Sequence, residues 1–155
     1  MRDELLKEAA NFVAEFEGLR LAPYKDATGT PTIGYGTTKD VAMDMDPISQ
    51  EQARAWLLRD LRNFDIELSR RVKPLINKNQ KIALLSFIYN VGVGAFERST
   101  LLKKINYRDF DGAAREFEKW VFSKGKKLNG LVKRRKAEME MFLKPIGGSN
   151  GTDMS

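Results

Sequence analysis

Glu17, Asp26 and Thr32 are the residues whose types and spacing can be read as chemistry. Glu17 closes an amphipathic segment and leads into a turn-rich one. Asp26 lies in the turn of that second segment, and Thr32 comes next in its returning arm. Hydrolysis of a glycosidic bond needs a carboxyl that donates a proton and a carboxylate that stays ionised. Inverting enzymes hold the two about 6.5–9.5 Å apart so that a water fits between. A threonine hydroxyl beside the carboxylate can help hold that water. The end of a helix carries partial negative charge, which favours a neutral acid at Glu17, and Phe16 and Leu19 add desolvation in the same sense. Each residue also has a plainer reading. Glu17 suits an exposed helix end, Asp26 an Asx-turn that closes a hairpin, and Thr32 an ordinary strand. The residues alone leave both readings open.

Other chemistries are excluded by composition. The chain has neither histidine nor cysteine. Ser-His-Asp and Cys-His nucleophiles are therefore out, and a catalytic zinc lacks its usual ligands. Any hydrolytic proton transfer must run on Asp, Glu, Lys or Tyr. Nothing calls for a metal or any other cofactor.

The elements that would position the three residues are set by periodicity. Leu5, Ala9, Phe12, Val13 and Phe16 form an apolar stripe at helical spacing, and Gly18 is a helix stop. Residues 19–38 carry Pro23, Gly29, Pro31, Gly34 and Gly36. They predict two short strands, 19–25 and 31–35, joined by the turn Asp26-Ala27-Thr28-Gly29. Helix returns after Asp46. Ser49 and Gln52 form a capping box, and Ala53, Trp56, Leu57, Leu61, Phe64 and Leu68 carry the stripe to about Val72 before Pro74. Both tryptophans, Trp56 and Trp120, fall on apolar stripes and are expected in the core. Gln80–Val91 is apolar on nearly all faces, which predicts a central helix. Shorter helices are expected at 99–105 and 109–122, with Ser99 and Asp109 as N-caps, and a last one at 131–143. The fold class is α+β: a small antiparallel hairpin lobe, about residues 19–45, on a predominantly helical bundle. One domain is expected over 1–145, with a disordered Gly/Ser-rich tail at 146–155.

The net charge is +6. Lys124, Lys126, Lys127, Lys133, Arg134, Arg135 and Lys136 occur with no acid among them. A solvated helix face is the plain reading, and long-range attraction to an anionic polymer such as a cell wall is the functional one. No apolar stretch is long enough for a membrane span, and the opening MRDELLKEAANF lacks a signal-peptide core. Stable membrane insertion is not expected.

The segment EFEGLRLAPYKDATGTPTIGYGTT resembles the active-site segment of phage-type lysozymes, glycoside hydrolase family 24. LLSFIYNVGVGAFERSTLLKKIN resembles that family's central helix and the segment after it, and AAREFEKWVFSKGKKLNGLVKRRKAE resembles its last two helices. The blocks run in family order from about residue 10 to 143. The resemblance implies a lysozyme-like fold and an endolysin muramidase that hydrolyses the β-1,4 bond between N-acetylmuramic acid and N-acetylglucosamine. It implies Glu17 as general acid, and Asp26 and Thr32 as the pair that positions water. Asn90 would face the cleft. One arginine of Arg134 and Arg135, Arg134 by preference, would lie close to Glu17 and orient it. Tyr35 could stack on a sugar or pack within the hairpin. Members commonly carry histidine after TIGYG, where this chain has Thr37, so altered local hydrogen bonding is expected there.

The same resemblance implies bacterial peptidoglycan as partner, dependence on a holin for access to the wall, a monomer, and no role in nucleic-acid binding. The protein would stay in the host cytoplasm until the membrane is permeabilised, then act in the periplasm. Two other functions compete. A lytic transglycosylase would cut the same bond without adding water, and a basic cell-wall-binding module would not cut at all.

Overall fold

The computed structural model describes residues 2–146; the expected tail from 147 onward lies outside them. The chain divides into two compact units, and the division falls between Asn63 and Phe64.

The first unit opens with helix α1, Arg2–Glu17. Leu6, Ala9, Ala10 and Val13 are its buried residues. The expected stripe is therefore turned by about one position. Phe12 and Phe16 are only half-buried and pack edge to face on each other, ring centroids 5.4 Å apart. Strands β1, Arg20–Lys25, and β2, Pro31–Gly34, form the antiparallel hairpin. Tyr24 faces Thr32 and Lys25 faces Pro31, with an irregularity between Arg20 and Tyr24. Helix α2, Gln50–Arg71, begins in this unit, where the Ser49 hydroxyl accepts the Gln52 N–H at 3.0 Å.

The hairpin is fixed to the start of α2. A Cβ at Gly34 would stand 3.2 Å from the Ala53 Cβ, and Gly34 has φ +69°. Only glycine meets both the close approach and that backbone without strain. The Ile48 N–H donates to the Leu21 carbonyl at 2.9 Å. Ala53, Leu57 and Leu61 are buried as their spacing requires, whereas Trp56 is half-buried at the margin of the core and carries the Arg59 guanidinium 5.8 Å from its ring centroid.

In the second unit α3, Lys78–Val91, packs along α7, Asn129–Leu143. α3 starts two residues earlier than Gln80 because Asn77 and Gln80 close a capping box, each side chain taking the other's backbone N–H at 2.8 Å. The predicted central character holds, since every residue from Ile82 to Ile88 is buried. A short α4, Val93–Glu97, begins after Gly92 and has no counterpart in the sequence reading. α5, Thr100–Asn106, and α6, Phe110–Glu116, carry the expected caps: Ser99 accepts from Leu102 N and Asp109 from Gly112 N.

The helix expected to reach Phe122 stops at Glu116. A 3-10 turn covers Phe117–Lys119, and strands β3, Phe122–Ser123, and β4, Lys126–Lys127, make a second hairpin. Its turn residues Lys124 and Gly125 have φ 52° and 77°, the left-handed pair a two-residue hairpin turn demands. Phe87 is the hub of the unit: Phe96, Phe117 and Trp120 meet it edge-on at 6.3, 5.5 and 5.2 Å. Trp120 is half-buried, at the edge of the core where full burial was expected. Among the described residues, no helix is long and apolar enough to cross a membrane.

Candidate active site

Glu17 is the last residue of α1, half-buried, and the chain leaves the helix through Gly18 at φ +69°. No basic side chain occupies the last turn of α1. Glu17, Asp26 and Thr32 all belong to the first unit.

The turn between β1 and β2 is built around Asp26. The Gly29 N–H donates to the Asp26 carbonyl at 2.9 Å, and the Asp26 N–H donates to the Thr30 carbonyl at 3.0 Å. Gly29, at φ +86°, supplies the left-handed residue that lets the chain reverse. One carboxylate oxygen of Asp26, Oδ1, accepts three bonds: Thr28 N–H at 2.8 Å, Thr28 Oγ1–H at 2.7 Å and Thr30 N–H at 2.9 Å. The Asx-turn expected for this residue is therefore present, and it uses a single oxygen. Oδ2 accepts nothing from the described residues. The Thr28 hydroxyl, and after it the Thr30 N–H, holds the Asp26 carboxyl below its ordinary range, because bonds to the charged form favour it.

Thr32 is 3% exposed. Its hydroxyl donates to the Thr30 carbonyl at 2.8 Å. With its proton committed there, the hydroxyl is left with lone pairs and acts toward any further partner as an acceptor. Thr32 pairs across the hairpin with Tyr24, so side-chain alternation puts it on the face that Asp26 continues. The hairpin thus carries an ionised carboxylate oxygen and an acceptor hydroxyl. Together they can take both protons of one water and leave its lone pair free to attack.

Tyr35 is only 9% exposed, which fits the packing alternative better than a sugar-stacking ring. Thr37, at the position after TIGYG where members of the resembled family commonly carry histidine, is 1% exposed and closes the hairpin base. Ile33 and Thr37 exchange backbone bonds at 2.9 and 2.8 Å, and the Thr37 hydroxyl donates to Asp60 Oδ2 on α2 at 3.3 Å. The Asp60 Oδ1 in turn pairs with Arg59 Nη2 at 3.1 Å.

In the second unit the basic cluster splits. Lys124, Lys126, Lys127, Lys133 and Lys136 are exposed, as a solvated face requires. Arg134 and Arg135 are not part of that face: they are 4% and 0% exposed and close on Glu138, itself 0% exposed. Arg134 Nε lies 3.2 Å from Glu138 Oε2, and Arg135 Nε lies 2.9 Å from Oε1. The Ser86 hydroxyl donates to Oε2 at 2.6 Å, and Arg134 Nη2 donates to the Ser86 carbonyl at 3.1 Å. Burial pushes the Glu138 carboxyl up while Arg135 and then Ser86 pull it back; burial also pushes Arg135 down. Asn90, exposed near the end of α3, accepts Arg135 Nη2–H at 2.8 Å. Sequence reasoning missed Glu138 as the anion of this cluster, although its i+3 and i+4 spacing from Arg135 and Arg134 on a helix is the available signal.

Comparison with known proteins places this geometry. A profile of the phage lysozyme family matches residues 14–138. The endolysin of Acyrthosiphon pisum secondary endosymbiont phage 1 is 42% identical over 134 residues, 84% of this chain and 91% of that protein. Among solved structures, an endolysin from Escherichia coli O157:H7 phage FAHEc1 aligns with a TM-score of 0.78 at 37% identity, covering 88% of this chain and 91% of the other. The muramidase domain of SpmX from Asticaccaulis excentricus aligns with a TM-score of 0.83 at 31% identity, covering 90% and 97%. The chain belongs to the phage lysozyme family.

Proposed function

We propose that the protein is an endolysin muramidase that hydrolyses the β-1,4 bond between N-acetylmuramic acid and N-acetylglucosamine in peptidoglycan. The observation that carries this reading is that one hairpin holds an Asp26 whose three side-chain bonds all fall on Oδ1 and a Thr32 hydroxyl whose proton is already given to Thr30. Thr32 is too buried to meet a sugar ring, but a water is small enough to reach it. Asp26 and Thr32 hold that water by its two hydrogens. Asp26 draws off one proton as the oxygen attacks the anomeric carbon, and its negative charge stabilises the oxocarbenium-like transition state. Glu17, at the helix end that precedes the hairpin, protonates the leaving oxygen. Attack by a water held on the protein, with no covalent intermediate, inverts the anomeric centre.

Tyr35, Asn90 and Arg134 are the substrate-binding residues in this reading. The enzyme needs no cofactor. It works as a monomeric catalytic domain over 1–145, with 19–45 as its smaller lobe, and reaches the wall after a holin opens the membrane. The discriminating experiment is digestion of purified peptidoglycan with mass spectrometry of the products. Products with hydrated reducing muramic acid ends support hydrolysis; 1,6-anhydro ends would make the enzyme a transglycosylase. No cleavage at all would leave only a wall-binding module.

A further inference from the structure

The second unit holds a pocket of about 250 Å³ whose lining carries three cations and one acid. Val132, Arg135 and Lys136 reach it from α7, at a spacing that puts them on one face of the helix. Lys127 of β4, Val121 and Glu118 complete the lining. Among the described residues, no ion pair joins Glu118 to any of the three cations. Lys127 and Lys136 are exposed, but Arg135 is 0% exposed. Glu138 grips Arg135 at Nε, 2.9 Å, and at Nη2, 3.3 Å; Asn90 Oδ1 accepts from Nη2 at 2.8 Å; the Phe87 ring centroid lies 5.0 Å from the guanidinium. Nη1 is left with no hydrogen-bond partner among the described residues. Buried polar groups are almost always bonded, so this nitrogen calls for an explanation. Burial pushes the Arg135 guanidinium down, Glu138 pulls it back, and the neighbouring Arg134 pushes it down again. An anion in the pocket would offset both unfavourable effects.

We infer that this pocket is a binding site for a single oxyanion, a carboxylate or a phosphate, carried on a short aliphatic stem. Lys127 and Lys136 bond the anion directly. Arg135 supplies a fixed charge in the wall, and a charge shielded from water acts on an anion more strongly than a solvated one. Val121 and Val132 pack on the stem. The volume limits the ligand to one group at the end of a chain, since pockets for whole small molecules run to about 300–1,000 Å³. Long-range attraction by exposed lysines needs no pocket at all. A pocket with an oriented, buried arginine reads one particular group. No step of bond cleavage enters the inference, so it stands or falls apart from the muramidase reading.

The test is a titration of the full chain at constant ionic strength, followed by proton–nitrogen NMR. The probes are N-acetyl-D-alanine, methyl phosphate and the neutral N-acetyl-D-alanine amide. At least one anion is expected to give saturable shifts at Val121, Val132 and the Arg135 Nε–H, with a Kd of about 1–10 mM, and the amide none. The tighter anion identifies the source. The double variant Lys127→Gln with Lys136→Gln should weaken binding about tenfold. Lys124→Gln with Lys133→Gln removes the same charge from exposed lysines outside the lining and should change Kd by less than about twofold. Val132→Phe fills the pocket without touching a charge and should abolish the shifts at Val121. Circular dichroism checks its fold; if it does not fold, the two lysine pairs carry the test. Equal losses from both lysine pairs, no saturation by either anion, or binding of the amide as tight as that of the acid overturns the inference.

Discussion

Asp26 and Thr32 share one atom: the Thr30 carbonyl oxygen accepts the Asp26 N–H at 3.0 Å and the Thr32 hydroxyl at 2.8 Å. That oxygen ties the Asp26 backbone to the Thr32 side chain and dictates which way the hydroxyl proton points. The Asx-turn and the proposed water site are therefore two uses of one residue, divided between the two oxygens of its carboxylate.

Removing the hydroxyl should uncouple the water from the carboxylate. Thr32→Ala is expected to lower kcat by about 10²-fold, the scale of a misplaced reactant, while Thr32→Ser retains most activity. Turbidity clearance of permeabilised Gram-negative cells measures both. Equal activity of the alanine and serine variants would remove Thr32 from the mechanism.

The Thr28 hydroxyl is the largest influence holding Asp26 below the ordinary carboxylate range. Thr28→Val should move the Asp26 carboxyl back up toward its ordinary range. A group depressed in the folded state adds stability above its unfolded value and loses it as pH falls through the folded one. The melting temperatures of wild type and variant should then differ near neutrality and converge on acidification. Carbon-detected NMR titration of Asp26 reads the shift directly.

The hairpin was legible in the sequence because its signals are local: Gly29, Pro31 and Asp26 dictate a turn whatever surrounds them. The caps Ser99 and Asp109 were legible for the same reason. The turn-residue signal at Lys124-Gly125 is equally local, but it lies just beyond a stretch whose helical spacing continues through Trp120, and the longer pattern masked it. The Asn77–Gln80 box was hidden by the polar run before the apolar stretch. Least legible was the fate of Arg134 and Arg135. Sequence shows their charge, but only packing around Phe87 and the arrival of Ser86 from another helix make Glu138 their buried partner. Family resemblance pointed to one of these arginines as functional without telling how either is held.

That cluster makes a stability prediction. Glu138→Gln leaves Arg134 and Arg135 buried without their carboxylate and should cost about 3–5 kcal/mol in urea unfolding, the scale for breaking a buried ion pair from one side. A loss under about 1 kcal/mol, the scale of a solvated pair, would mean the arginines find water or another partner.

Thr37 links the hairpin base to Asp60 through a single bond of 3.3 Å. Thr37→Val, nearly equal in shape, should destabilise the protein by about 1 kcal/mol and leave the activity of the folded enzyme within a few-fold. A loss of activity without a loss of stability would instead assign Thr37 a direct part in the reaction.

The central claim is that a water held by Asp26 and Thr32 attacks the sugar while Glu17 protonates the leaving oxygen. Digestion of peptidoglycan in heavy-oxygen water, with wild type and Glu17→Gln side by side, tests it most directly. The account predicts one solvent oxygen at each new reducing muramic acid end, delivered as the inverted anomer, and no product from the folded variant. Anhydro ends without solvent oxygen, or full turnover by Glu17→Gln, would contradict it.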